Sequence, residues 1–121
     1  MSSTNEEIQS ICNTVHTIMQ CATKELLIPA EKEARVVRKK ISVFTYGLIA
    51  GLSMSDKDKV FKQYLVMGGL NTEQAEIIVN RTRDEFAKRE FGEKCLRTGK
   101  DVAVKWLSGD KNIQSLVEEM L

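Results

Sequence analysis

Residues 41–54 read ISVFTYGLIAGLSM. Only Ser42, Thr45, Tyr46 and Ser53 interrupt this run, so a helix over it is apolar nearly all round. A spanning helix needs about 20 such residues, and this run has fourteen. It therefore reads as the core of a helical domain, because a helix apolar on every side is normally enclosed by other helices. Upstream, Ala34, Val37, Ile41, Phe44 and Leu48 form one stripe and Val36, Val43, Gly47, Ala50 and Met54 a second. The first two turns carry Arg35, Arg38, Lys39 and Lys40 on a polar side. Pro29 either ends the preceding element or opens this helix, where its missing N–H has no partner to lose. Glu31 and Glu33 then place carboxylates in the first turn, complementing the helix dipole.

The neighbours that must cover this helix show the same rhythm. Ile8, Ile11, Cys12, Val15, Ile18, Met19, Ala22 and Leu26 advance by threes and fours behind a capping-box pair, Thr4 and Glu7. Glu6, Gln9, Asn13, Thr17 and Gln20 take the other side, so the segment is an amphipathic helix. Ser55 with Asp58 predicts a third helix carrying Val60, Phe61, Tyr64 and Leu65, stopped by Gly68-Gly69. Asn71 with Gln74 predicts a fourth, buried through Ala75, Ile78, Val79, Thr82 and Phe86. Its outer face has Asp84–Lys88, Glu85–Arg89 and Glu90–Lys94 at helical i,i+4 spacing. Residues 93–98 read either as more of this helix or as a loop around Gly99. In residues 101–107 Val102, Val104 and Trp106 alternate as a strand would, while Val102, Ala103, Trp106 and Leu107 fall on one face of a short helix, the favoured reading since no other clear strand is present to pair with. Ser108-Gly109 closes it, and Asp110 is expected to cap a last helix with Ile113, Leu116, Val117 and Met120 on its apolar face. The expected fold is all-α, a compact bundle of five to six helices in a single domain over residues 1–121.

Bulk composition narrows the function classes. At 42% hydrophobic and 29% charged, with one proline, the chain is neither disordered nor fibrous. A net charge of +1 lacks the basic excess that usually marks a nucleic-acid protein. The three cysteines, Cys12, Cys21 and Cys95, are odd in number with no C-x-x-C pair, and the first seven residues are polar and acidic. That combination predicts free thiols in a reducing, cytoplasmic compartment, and makes the Asn80-Arg81-Thr82 sequon a chance match. No membrane association is expected.

Chemistry-bearing motifs are sparse. Cys12 and His16 are four apart on one helix, as two zinc ligands can be, but the further ligands and their paired short spacings are missing. His16 is the single histidine, so any nucleophile–base pair would have to use it. Thr98-Gly99-Lys100 lacks the spaced glycines of a phosphate loop. No catalytic residue, metal or cofactor is expected. What remains is surface. Gly47 and Gly51, four apart, allow close approach of a helix from the same chain or from a second copy. The last helix, with Ile113, Leu116, Val117 and Met120, must dock on its own bundle, a second copy or a partner groove, since a helix this short is marginal alone. Arg35, Arg38, Lys39 and Lys40 form the densest basic patch. The favoured function is a non-enzymatic protein–protein interaction module of adaptor, chaperone-like or inhibitory type, acting as a homo-oligomer. The alternative is a DNA-binding regulator using a helix-turn-helix-like pair over residues 55–91, with Arg81 and Arg83 on phosphates. Glu73 and Glu76 in the leading turn of its reading helix weigh against that alternative.

Overall fold

A computed structural model describes residues 5–23, 31–52 and 56–121. Among the described residues are six α-helices and no strand: α1 (Asn5–Thr23), α2 (Glu31–Leu52), α3 (Lys57–Met67), α4 (Thr72–Asp84), α5 (Gly92–Leu107) and α6 (Gln114–Met120). A 3-10 turn (Phe86–Lys88) links α4 to α5. The all-α bundle inferred from periodicity is the fold observed. Thr4, Leu26, Pro29, Met54 and Ser55 lie outside the described residues.

α2 is the axis of the bundle. Val43, Phe44, Thr45, Leu48 and Ile49 are buried on successive sides, and the helix touches α1, α3, α4 and α5. Val36 departs from the expected second stripe and is exposed, while Ala34 of the first stripe is buried. α1 buries Ile8, Cys12, Val15, Ile18, Met19 and Ala22, the face its periodicity predicts.

The dominant pairing is α2 with α5, and it explains a feature that local reading cannot. Gly99 lies inside one continuous helix rather than in a loop. A Cβ on Gly99 would stand 2.6 Å from the backbone nitrogen of Leu48, and one on Gly47 would stand 2.9 Å from Leu96 Cα. Both collisions are with main chain, which cannot swing aside. The two glycines thus let the helix backbones meet directly, at a helix-propensity cost of about 1 kcal/mol each that tertiary packing overrides. Cys95, Val102 and Ala103 complete the buried face of α5.

Three boundaries differ from expectation. Asp56 caps α3, its carboxylate accepting from Lys59 N at 3.3 Å, where the sequence offered Ser55. α4 stops at Asp84, so the i,i+4 series does not lie on one helix: Glu85–Arg89 pairs at 2.9 Å, but Asp84 pairs with Arg83 and Lys94 donates to the Glu119 carbonyl. The break turns Phe86 inward, where it is buried. Finally, α6 begins after Ile113 without a side-chain cap, while Asp110 accepts from Asn112 N at 3.0 Å inside the preceding turn. The Gly68-Gly69 stop holds, with Gly69 at φ +110°, a conformation open to glycine. The Asn71–Gln74 box is complete, with bonds of 2.8 and 3.2 Å.

Candidate functional site

The surfaces singled out by sequence divide into those spent inside the fold and those left outside it. Gly47 is buried against Leu96, and Gly51 faces Ala103, where an added Cβ would come within 2.6 Å of the alanine Cβ. The small-residue stripe is therefore taken by α5 of the same chain, not left open to a second copy. Ile113, Val117 and Met120 are likewise buried in their own core, with Leu116 half-buried. Gln114 donates to the Cys21 carbonyl at 3.3 Å, and Lys40 reaches the main-chain oxygen of Leu121 at 3.1 Å. α6 is an internal closing element.

The basic patch is split in the same way. Lys39 lies 5.4 Å from the Phe86 ring centroid, and Lys40 lies 6.0 Å from that of Phe91. Only Arg35 and Arg38 stand exposed from that set.

Arg81 and Arg83 sit on α4 among carboxylates. Arg83 bonds both oxygens of Asp84 at 2.8 and 2.9 Å, contacts Asn80 at 3.2 Å, and is hydrogen-bonded to Asp58 of α3. Asp58 also accepts from the Tyr46 hydroxyl of α2 at 2.9 Å. Burial, with this bond to Asp58, pushes the phenol up to about 12. Arg83 holds the Asp84 carboxyl below its ordinary value. This network, with the Ser42–Thr82 hydroxyl pair at 2.7 Å, ties α4 onto α2 and α3. Arg81 pairs with Glu85 at 3.4 Å and lies 5.1 Å from the Phe86 ring centroid.

The structure separates Cys12 from His16. Cys12 is fully buried, its thiol donating to the Val60 carbonyl at 3.6 Å, while His16 is exposed. Burial pushes the thiols of Cys12 and Cys95 up, which opposes the thiolate form that reactivity requires. Among the described residues, no three His, Cys, Asp or Glu side chains could hold one metal ion, and no helix is long and apolar enough to cross a membrane.

Two outward features were not legible from the sequence. Val104 and Leu107, one turn apart on α5, are 64% and 66% exposed, although Leu107 was expected on the buried face. Trp106 between them is half-buried, with Lys111 Nζ 5.2 Å from its ring centroid. The second feature is a cleft between α1 and the end of α3 that contains His16. Comparison of the chain with protein-family models, curated proteins and solved structures gave no match.

Proposed function

We propose that the chain is a non-enzymatic protein–protein interaction module that pairs with a second copy of itself through the C-terminal half of α5. The observation that carries this reading is the Val104–Leu107 pair, the two most exposed large apolar side chains among the described residues. An i,i+3 pair presents one continuous helix face, and the half-buried Trp106 lies between the two in sequence. Tryptophan is among the residues most often found to dominate binding energy at interfaces. Exposed Lys100 and Asp101 precede the pair on the same helix and supply a polar rim. The commitment of Arg81 and Arg83 to carboxylates favours this reading over phosphate binding.

Light scattering tests it. The wild-type chain is expected at twice 13.7 kDa or above. The Val104→Asp, Leu107→Asp double variant is expected at the monomer mass with an unchanged far-ultraviolet helical spectrum, since both side chains already face outward. A wild-type chain that stays monomeric at high concentration overturns the proposal.

A further inference from the structure

Val104 and Leu107 close a longer outward stripe on α5. Glu93, Arg97, Lys100, Val104 and Leu107 are all exposed and advance by four, three, four and three. That is the spacing that keeps one seam of a helix turned toward a partner helix. The stripe changes character along its length. Its last turn is apolar and its first half is charged. Glu93 and Arg97 pair with each other at 2.9 Å, whereas Lys100 takes no part in an ion pair or side-chain hydrogen bond among the described residues.

This polarity decides how a second copy can lie along the stripe. Two α5 helices running in the same direction about a two-fold axis would set each seam residue against its own equivalent. Arg97 and Lys100 would then each meet a like charge, which is costly where a contact excludes water. Running in opposite directions about the last turn, Val104 of each copy packs on Leu107 of the other. The charged half of each stripe passes beyond the end of the opposing helix. Lys100 comes to the carbonyl end of that helix, where the dipole favours a cation. Asp110 stands at the same end with its side chain 49% exposed. The cations already there are occupied: Lys105 pairs with Asp110 at 3.7 Å, and Lys111 lies 5.2 Å from the Trp106 ring centroid.

We infer that two copies pair antiparallel through α5, with Val104 and Leu107 at the centre and Lys100 of each copy at the C-terminal end of the other's helix. The inference rests on α5 pairing with a second copy, and adds to that pairing its direction and an electrostatic contact that selects it.

A spin label at Arg97→Cys reads the direction. Cys21→Ala in the same chain leaves only the buried thiols of Cys12 and Cys95. Antiparallel pairing sets the two backbones at residue 97 about 27 Å apart, from a rise of about 1.5 Å per residue and axes roughly 8–10 Å apart. Parallel pairing leaves only that interaxial distance of roughly 8–10 Å. The second measurement is the dimer dissociation constant of Lys100→Gln. Antiparallel pairing expects it about threefold weaker or more, the scale of a cation at a helix C-terminus counted once per copy. In a parallel pair the same change removes a repulsion and tightens the dimer. Arg97 and Lys100 are both exposed, so the helical spectrum of each variant should match wild type. A dimer whose labels sit at the interaxial distance, or one that Lys100→Gln tightens or leaves unchanged, overturns the direction while the pairing stands. A chain that stays at 13.7 kDa overturns both.

Discussion

The α2–α5 crossing and the α3–α4 pair are held by opposite means. At the crossing, two backbones meet through Gly47 and Gly99 with apolar side chains closing around them. Across α3 and α4 the Lys62–Glu76 pair at 2.7 Å and the Asp58–Arg83 bond that also takes in Tyr46 are polar links, and the Asn71–Gln74 box caps the start of α4. The first joint depends on the absence of atoms and the second on the presence of charges. Volume should therefore break one, and salt or pH should loosen the other.

The largest effect belongs to Gly99→Leu. Inserting side chains into a packed core usually costs about 1–3 kcal/mol, and here the first added atom meets Leu48 main chain. The expected result lies at or above the top of that range, seen as loss of a cooperative thermal transition by circular dichroism. A variant that melts like wild type would remove the close-approach account. Next comes Phe44→Ala, which empties a fully buried site beneath the crossing and should cost about 3–5 kcal/mol in denaturant unfolding.

The polar joint gives smaller numbers. Asn71→Ala removes an N-cap and should cost about 1 kcal/mol, measurable as a shift in the urea midpoint, while Asn71→Gly should cost only a few tenths. Asp58→Ala frees the Tyr46 hydroxyl and leaves Arg83 with Asp84 and Asn80 alone. Both partners of that ion pair are more than a third exposed, so solvent screens it and the loss should stay below about 1 kcal/mol and shrink in high salt. The mildest test is acid. Hydrogen bonds from Arg83 and Arg89 hold the Asp84 and Glu85 carboxyls below their ordinary values of 3.8 and 4.5. A carboxyl depressed on folding stabilises the native state above its unfolded value and ceases to as pH falls through its folded one. The melting temperature of the Asp58→Ala background should therefore still fall as the solution is taken below about pH 4, and the fall should be smaller in Arg83→Ala.

What was legible in the sequence follows the same division. The α1 stripe from Ile8 to Ala22 could be read because burial on one face leaves a period, and the Asn71–Gln74 box because it is local. Gly99 left helix and loop both open because glycine is a local breaker, whereas its reason for standing in a helix is a neighbour about fifty residues away. The end of α4 was missed for the converse reason: Glu85 and Arg89 keep helical spacing and even pair, but burying Phe86 requires a turn. Gly47 and Gly51 could be recognised as a contact stripe, yet spacing alone does not say whose helix fills it. Neither the exposure of Leu107 nor the cleft that His16 and Tyr64 both line has a local signature. Both depend on how whole helices cross.

The seven-residue α6 has no capping side chain at its start, and its final carbonyls receive ammonium groups from Lys94 and Lys40. Cations there oppose the negative end of the helix dipole, so three separate helices, counting the Gln114 link to α1, vouch for one that could not persist alone. The amides of α6 should consequently exchange with solvent whenever any of the three shifts its position, making this closing segment a native gauge of the integrity of the entire bundle.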